Sequence, residues 1–299
     1  MRLLITSSLL LLTCSLPLIS PAENIHPPAG LVVQSHRGAG VLAPENSMEA
    51  FELGWKMGTI PEADVRTSKD GVIVAFHDKD FSRVVHDASD ALKKQGVHDL
   101  TWAELQKLDI GAETGVSDRR QKILKMEDFF KAMVNRPERR LYLDIKEVNL
   151  ETLAALARQY KVAEQVIFAS TKIDLIRSWK MLVPGGQTLL WVGGNEKSQT
   201  ERFEKLKAED FAGVTQLQLH VKKLPEEKTA RYTPSNRFIV EVAEELDKRS
   251  ILFQALPWGA DDAATYHDLL KLGVNSFATD HPDVVMPIML ERFRKKEAP

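Results

Sequence analysis

The sequence PEADVRTSKDGVIVAFHD places two carboxylates inside what reads as a buried strand. Glu62 and Asp64 are two positions apart, and side chains at that spacing lie on the same face of a β-strand. His36 ends an earlier apolar run, and Asp144 and Lys146 end a later one. Side chains of these types could bind a cation and an anionic substrate, or transfer protons.

The elements that would position these side chains are short strands that alternate with helices. The strand-like runs are LVVQSH (31–36), IPEADV (60–65), LYLDIK (141–146), VIFAS (166–170), TLLWV (188–192), VTQLQLH (214–220), ILFQAL (251–256) and VNSFATD (274–280). Repeated strand and helix units are typical of a parallel sheet. Eight such strands are the number that closes a (β/α)8 barrel. We therefore predict an α/β fold, a (β/α)8 TIM barrel, over residues 31–299.

A ninth run, VIVAFH (72–77), requires a different connection. It follows the second strand after only the residues Val65–Gly71, whereas a parallel crossover needs a dozen or more residues. The sequence Asp-Gly within that segment is typical of a tight hairpin turn. We predict an antiparallel return strand in which paired residue numbers sum to about 141, as a two-residue turn requires. Asp64 would then face His77.

Residues 78–124 are too long for a simple connection between this hairpin and the next helix, MEDFFKAMV. Loops of such length are commonly functional lids or disordered segments. We expect an insertion over one end of the barrel, and the composition does not distinguish between those two forms.

The carboxylates are expected to converge. Active sites of such barrels lie at the C-terminal ends of the strands, so the charged residues of the first three strands should share one rim. Glu62, Asp64 and Asp144 would repel one another there and raise each other's pKa. A hard divalent cation with oxygen ligands, Ca²⁺ or Mg²⁺, would relieve this repulsion. The sequence therefore predicts a metal site made by these three residues.

Each residue also has an ordinary structural explanation. A carboxylate at a strand end can cap the following helix or pair with an arginine. A single histidine can be a satisfied polar group, and Asp144 and Lys146 can form an ion pair only. The combination of Glu-x-Asp, Asp-x-Lys and two histidines favours a site with chemistry.

Two segments, SHRGAGVLAPENSMEAF and PEADVRTSKDGVIVAFHD, resemble the signature of glycerophosphodiester phosphodiesterases. The shared order is His-Arg, Pro-Glu-Asn, Glu-x-Asp, Asp-Gly and His-Asp. The later TDHPDVV resembles the closing Thr-Asp-x-Pro of that family, so the resemblance spans residues 31–285. It implies a metal-dependent barrel enzyme that splits glycerophosphodiesters into sn-glycerol 3-phosphate and an alcohol.

The resemblance also implies residue roles. His36 and His77 would be the acid–base pair, Arg37 would bind the phosphate, and Lys146 would lie beside it as a catalytic cation. The three carboxylates would be the metal ligands. These side chains suit such roles, because a guanidinium fork matches two phosphate oxygens and two imidazoles can divide the proton transfers. A first attack by the glycerol hydroxyl, giving a cyclic phosphate, and direct hydrolysis both remain open.

Two positions depart from the pattern of the family. Its third strand usually carries Glu-x-Lys, whereas Asp144 is shorter, so a cation would lie closer to that strand or bind through water. The related sphingomyelinase D barrels resemble this chain in having Asp there. The family's tryptophan at the end of the seventh strand is replaced by Gln254, and Trp258 is a candidate aromatic wall on the alcohol side of the substrate.

Residues 1–22, MRLLITSSLLLLTCSLPLISPA, have the layout of a secretory signal peptide: an early arginine, an apolar stretch and small residues before a cleavage site. A retained membrane anchor is the alternative, although two prolines interrupt a stretch that is short for spanning a bilayer. Cys14 is the only cysteine, and the threonine before it is a poor fit to a lipoprotein anchor. We expect cleavage after Ala22, a linker over 23–30 and export, which without disulfides favours a bacterial periplasm.

The composition and the resemblance together indicate which binding partners to expect. A net charge of −2 gives no indication of nucleic acid, and 27% charged residues are typical of a globular protein. The resemblance implies a small-molecule glycerophosphodiester as the partner, is compatible with peripheral contact with membrane lipid, and implies no protein partner. Two alternatives stay open: phospholipase D-like action on lysophospholipid or sphingolipid headgroups, with 78–124 facing the lipid, and a non-catalytic headgroup-binding barrel.

Overall fold

The structure is a computed structural model that describes residues 30–85, 88–111, 120–225 and 231–297. The described residues form ten strands: β1 (Val33–Ser35), β2 (Ile60–Thr67), β3 (Ile73–Ala75), β4 (Leu141–Glu147), β5 (Val166–Ser170), β6 (Gln187–Val192), β7 (Gln216–Lys223), β8 (Tyr232–Thr233), β9 (Leu252–Trp258) and β10 (Ser276–Thr279). They also form ten α-helices: α1 (Met48–Lys56), α2 (Asp90–Lys93), α3 (Trp102–Leu105), α4 (Met126–Met133), α5 (Leu150–Gln159), α6 (Ile173–Leu182), α7 (Glu196–Ala208), α8 (Asn236–Asp247), α9 (Ala263–Lys271) and α10 (Pro282–Glu297).

Eight strands form a closed parallel barrel in the order β1, β2, β4, β5, β6, β7, β9, β10. The barrel closes at β1, where Ser35 lies opposite Thr279 of β10 on one side and Pro61 of β2 on the other. The strands β3 and β8 are antiparallel additions to β2 and β7. The predicted (β/α)8 barrel with an extra hairpin strand is therefore confirmed, and each of the eight predicted runs overlaps one barrel strand.

Strand alternation divides the side chains between two layers. Ala63 and Val65 of β2 belong to the main apolar core between strands and helices, together with Phe51 of α1 and Phe129 of α4. The intervening carboxylates of β2 lie on the other face, toward the barrel interior. This two-residue period is the reason that adjacent positions of one strand can serve the core and the site.

The barrel interior contains a buried polar network beside an apolar cluster that includes Ile60 and Ile167. The amide of Gln218 donates to Gln34 Oε1 at 3.2 Å and also hydrogen-bonds Gln254. Gln254 in turn donates to the hydroxyl of Tyr142 at 3.3 Å and to Ser276 Oγ at 3.0 Å. Gln254, at the position where the family pattern has tryptophan, is thus a fully buried member of this network.

The predicted register of the hairpin was wrong by one residue. Thr67 pairs with Ile73 and Val65 with Ala75, and Phe76 N donates to Asp64 O at 2.8 Å. The reason is a three-residue loop that ends with Gly71 at φ +84°, a common hairpin type that needs a residue in the left-handed region. Asp64 therefore lies opposite Phe76.

His77 lies at the site in spite of this one-residue shift. It follows the end of β3, so strand pairing does not set its position. Its carbonyl oxygen accepts hydrogen bonds from Arg66 Nη2 at 2.8 Å and Nε at 3.2 Å. Arg66 is itself buried and pairs with Glu147 at 3.0 Å. The backbone at His77 is thus fixed by a guanidinium rather than by strand pairing.

The described part of the predicted insertion (78–124) packs on the hairpin and shares an apolar cluster with it. Phe81, Val97 and Leu105 cluster with Val74 and Phe76 of the hairpin segment. The insertion also contacts the hairpin loop, since Trp102 N donates to Asp70 Oδ1 at 2.9 Å. The described part of the insertion is therefore a folded layer beside the C-terminal end of β2.

The predicted signal peptide (1–22), Cys14 and all but the last residue of the predicted linker (23–30) lie outside the described residues. Those assignments, and export with them, stay predictions. No helix in the described part of the chain has both the length and the apolar character that crossing a membrane requires.

Candidate active site

One pocket of about 130 Å³ at the C-terminal end of the barrel brings the predicted residues together. Six of the seven line it: His36, Arg37, Glu62, His77, Asp144 and Lys146. The seventh, Asp64, is fully buried directly behind them, with Oδ1 at 3.1 Å from Lys146 Nζ. Two larger grooves, of about 490 and 360 Å³, lie between the hairpin and α5 and contain none of these residues. The chemistry of the lining therefore identifies the site, rather than its size.

The three carboxylates form a cluster. One oxygen from each of Glu62, Asp64 and Asp144 lies within 4.8 Å of the others. The parallel register of β2 and β4 produces this, because Asp64 lies directly opposite Asp144. The sequence therefore placed these carboxylates on adjacent strands correctly, and the closed barrel brings them to one point.

The electrostatics of the cluster fit a divalent cation. Burial and the negative charge of Asp64 raise the pKa of Glu62 to about 7. Burial also raises the pKa of Asp144, against the opposing effect of Lys146. Asp64 differs, because Lys146, His77 and Arg37 outweigh its burial and lower its pKa. Its buried Oδ1 lies 3.1 Å from Lys146 Nζ but accepts no hydrogen bond from any described residue, which leaves a lone pair for a cation.

Asn46, the last residue of Pro-Glu-Asn, fixes Asp64. Its amide donates to Asp64 Oδ2 at 3.0 Å, and its carbonyl accepts from Asp64 N at 3.1 Å. Asn46 has φ +54°, a left-handed conformation that asparagine tolerates better than most residues. The motif therefore has a positioning role that sequence reasoning did not assign.

Arg37 follows the first barrel strand in the same left-handed region, with φ +52°. Its Nη1 donates to Glu45 Oε2 at 2.8 Å, and its backbone N–H donates to Glu62 Oε2 at 3.4 Å. The buried Nε donates no hydrogen bond within the described residues, although Asp64 Oδ2 is 3.8 Å away. The guanidinium is thus held by Glu45 on one side, and Arg37 lines the pocket.

His36 is held by Asp280 from the other end of the chain. Its Nδ1 lies 2.7 Å from Asp280 Oδ1, and its Nε2 lies 4.0 Å from Glu62 Oε2. Burial lowers the pKa of His36, but the hydrogen bond to Asp280 and the charge of Glu62 outweigh burial and raise it to about 9. Asp280 is the aspartate of TDHPDVV, so that motif orients the histidine.

His77 has the same type of support. Its Nδ1 lies 2.6 Å from Asp78 Oδ1. In both histidines a carboxylate therefore engages Nδ1, which favours the tautomer with a proton there and leaves Nε2 for chemistry. Sequence reasoning named the histidines but assigned no role to their carboxylate partners, Asp78 and Asp280.

An aromatic wall faces these groups across the pocket. The rings of Trp191 and His220 are stacked at 4.8 Å with an interplanar angle of 6°. Trp258 meets His220 edge-on at 5.5 Å and His36 at 6.1 Å. Trp258 lines the pocket, as proposed for an aromatic wall, whereas Trp191 and His220 were missed. Their only signal is their position near the C-terminal ends of β6 and β7.

Protonation of His220 should destabilise the protein in mild acid. Burial, and the positive charges of His36 and Arg202, lower the pKa of His220 from 6.5 to about 4. The unfolded chain therefore binds this proton more readily. The contribution of neutral His220 to the free energy of unfolding is complete above pH 6.5. It decreases by up to about 3 kcal/mol as the pH falls toward 4.

The free energy of unfolding, measured in urea at about pH 7 and about pH 5, tests this expectation. Glu62, whose pKa is raised to about 7, takes up a proton in the same pH range and opposes this loss in every variant, so the readout is the difference between each variant and the wild type. Relative to the wild type, His220→Asn should gain stability as the pH falls from about 7 to about 5. His267→Asn, at an exposed position of α9, is the matched control and should show no such gain. The absence of a gain in His220→Asn would show that His220 is not the group responsible.

Comparison with known proteins identifies the family and agrees with the fold. Residues 36–284 match the model of the Glycerophosphoryl diester phosphodiesterase family. A glycerophosphodiester phosphodiesterase of Caldanaerobacter subterraneus is 23% identical over 268 residues, which cover 86% of this chain and 97% of the relative. The structure of an Oleispira antarctica phosphodiesterase in complex with the product sn-glycerol-3-phosphate has a TM-score of 0.65 and 21% identity, covering 87% of this chain and 96% of the other. A glycerophosphodiester phosphodiesterase structure from Agrobacterium tumefaciens has a TM-score of 0.63 and 19% identity, with coverages of 86% and 99%.

Proposed function

Because the chain belongs to the glycerophosphoryl diester phosphodiesterase family, we propose that it hydrolyses glycerophosphodiesters to sn-glycerol 3-phosphate and an alcohol, with a divalent cation and histidine acid–base catalysis. The observation that carries this proposal is the single pocket in which an arginine, a lysine, two histidines and a carboxylate cluster meet. The product complex of the Oleispira antarctica phosphodiesterase supports the choice of product.

The phosphate would bind between Arg37 and Lys146. Lys146 Nζ donates to Asp144 Oδ2 at 2.7 Å and forms an ion pair with Asp64, so at least one of the three N–H donors of the ammonium is left for the substrate. Arg37 offers the donors that Glu45 does not occupy. Two fixed cations aimed at one phosphate stabilise the negative charge that grows on its oxygens in the transition state.

Glu62, Asp64 and Asp144 would hold the cation, Ca²⁺ or Mg²⁺, both of which prefer oxygen ligands. When bound, such an ion supplies a positive charge beside the phosphoryl oxygens. The buried, mutually repelling carboxylates are the part of the site that this charge would stabilise.

The two histidines would divide the proton transfers. One Nε2 accepts the proton of the attacking hydroxyl, from water or from the neighbouring glycerol oxygen, and the other donates a proton to the departing alkoxide. His36 suits the donor, because the hydrogen bond of its Nδ1 to Asp280 favours the protonated imidazole. His77 is then the acceptor, and Asp78 would stabilise the imidazolium that forms.

Release of products from the purified protein tests the proposal. With glycerophosphocholine and added Ca²⁺ or Mg²⁺, we expect equal amounts of sn-glycerol 3-phosphate and choline, and none without a divalent cation. A parallel reaction with lysophosphatidylcholine tests the phospholipase D-like alternative, which would release choline and lysophosphatidate. Binding of glycerophosphocholine without turnover of either substrate would indicate the non-catalytic alternative.

One observation favours the lipid alternative as a second candidate. Val41 and Trp258 are among the few large apolar side chains of the described residues that are exposed, at 52% and 44%. Val41 N donates to the carbonyl of Asp280, the partner of His36, at 2.9 Å, and Trp258 contacts the imidazole. Exposed apolar side chains on segments that meet at the site could contact an acyl chain.

Trp258→Ala should weaken substrate binding more than turnover. The indole lies at the mouth of the pocket, so its loss should raise the KM for glycerophosphocholine about 10-fold, with a small change in kcat. Met181→Ala, which removes a more exposed apolar side chain on α6, is the control and should leave both constants unchanged. A fall in kcat at unchanged KM would contradict a binding role for the indole.

A further inference from the structure

Arg83, a residue of the insertion, joins two carboxylates beside the active site. Its Nη1 and Nη2 donate to the two oxygens of Glu45 at 2.8 and 2.7 Å. Its Nε donates to Asp78 Oδ2 at 2.7 Å. One guanidinium therefore binds two carboxylates from separate segments of the chain, through three N–H groups.

Each of these carboxylates also holds a residue of the proposed machinery. Glu45 Oε2, which binds Arg83, accepts a second hydrogen bond from Arg37 Nη1 at 2.8 Å. The remaining oxygen of Asp78, Oδ1, lies 2.6 Å from His77 Nδ1. Arg83 is thus connected through a single carboxylate to the phosphate-binding arginine and through another to a histidine.

The charge of Glu45 explains how Arg83 affects Arg37. Burial raises the pKa of Glu45, but hydrogen bonds and charges from Arg83 and Arg37 outweigh burial and lower it. Glu45 is therefore ionised. Without Arg83, this carboxylate would have both oxygens free for the fork of Arg37, a favourable bidentate pairing. That pairing would compete with the substrate phosphate for the same guanidinium.

We propose that Arg83 is a positioning residue that aligns Arg37 and His77 through Glu45 and Asp78. By occupying both oxygens of Glu45, it restricts that carboxylate to one N–H of Arg37 and leaves other donors for the phosphate. By binding Asp78, it fixes the carboxylate that directs the imidazole of His77. The inference rests on the proposed function, since the roles of Arg37 and His77 do.

A purely stabilising role does not account for this arrangement. The Arg83 side chain is 47% exposed, and ion pairs with that much access to solvent contribute little to stability. A positioning role predicts a loss of activity and of anion affinity in a protein whose melting temperature is nearly unchanged.

Arg83→Ala tests the proposal. We expect kcat/KM for glycerophosphocholine to fall on the order of 10²-fold, through both constants, because small misplacements of catalytic groups cost that much. The affinity for sn-glycerol 3-phosphate, measured by calorimetry, should also fall, since Arg37 is no longer directed at the phosphate. Arg83→Lys keeps the charge but cannot span both carboxylates with one fork. Its kcat/KM and its affinity for sn-glycerol 3-phosphate should therefore lie between those of the wild type and those of Arg83→Ala.

Arg249→Ala is the matched control. Arg249 also joins two carboxylates, Asp210 at 2.7 Å and Glu245 at 2.6 Å, but outside the pocket. Its removal should leave kcat, KM and the affinity for sn-glycerol 3-phosphate unchanged. Comparison of Arg249→Ala with Arg83→Ala therefore shows whether the loss of activity is specific to the bridge between Glu45 and Asp78 or follows the removal of any arginine that joins two carboxylates.

Chemical rescue gives the decisive readout. Guanidinium chloride, well below denaturing concentrations, should restore part of the activity of Arg83→Ala, and sodium chloride at equal ionic strength should not. Wild-type kinetics and affinity in Arg83→Ala would overturn the proposal. A loss of activity that is accompanied by a matching decrease in melting temperature, and that guanidinium does not rescue, would also overturn it. A wild type that hydrolyses no glycerophosphodiester would refute the proposed function instead, and the affinities for sn-glycerol 3-phosphate would still decide whether Arg83 directs Arg37.

Discussion

Asp64→Asn should abolish divalent-cation binding and reduce turnover on the order of 10³-fold, while the protein remains folded. Asp64 is fully buried and belongs to a cluster whose three carboxylate oxygens lie within 4.8 Å of one another. An asparagine has the same shape and can still accept the hydrogen bond from Asn46. It lacks the negative charge, and its amide nitrogen cannot bind a cation.

The measurements are metal content and activity on the same preparations. The wild type should lose activity on chelation and regain it with Ca²⁺ or Mg²⁺, whereas Asp64→Asn should bind neither ion and regain nothing. Glu245→Gln is the matched control, because Glu245 is a carboxylate paired with Arg249 and Lys248 away from the pocket. Full metal occupancy in Asp64→Asn would show that Asp64 is not a ligand, and activity that resists chelation would exclude metal dependence.

The placement of the carboxylates could be predicted because it depends on local rules. Strand alternation puts Glu62 and Asp64 on one face, and the parallel arrangement places strand ends on one rim. The hairpin shows the limit of such rules. The register of β3 depends on whether the turn has two or three residues, and the left-handed conformation of Gly71 decides this. The same Asp-Gly sequence is compatible with both.

The supporting residues could not be placed from the sequence, because distant segments bring them together. Asp280 lies 244 positions from His36, and Arg83 lies 38 positions from Glu45. Nothing in the spacing of these residues indicates a contact, since the closure of the barrel and the folding of the insertion create it. The stack of Trp191 on His220 depends in addition on side-chain conformation. Strand patterns therefore predicted the positions of the candidate reacting groups better than the positions of the groups that orient them.

His36→Ala and His77→Ala should each reduce kcat by about 10²–10⁴-fold, the usual contribution of a general acid or base. Both side chains line the same pocket, and each has a carboxylate at its Nδ1, so removal of either imidazole interrupts one proton transfer. Because the two act in one reaction, the double variant should be hardly slower than the poorer single variant.

A control variant and a purely structural role for the histidines can both be tested. His267→Asn, on the exposed surface of α9, should keep wild-type kcat. If His36 or His77 were structural only, its alanine variant would lose stability, and activity would fall in proportion to the unfolded fraction. We expect instead a melting temperature and metal content close to wild type, because neither imidazole is among the clustered cation ligands. Near-normal turnover in either folded single variant would remove that histidine from the mechanism, and full additivity in the double variant would show that the two histidines act independently.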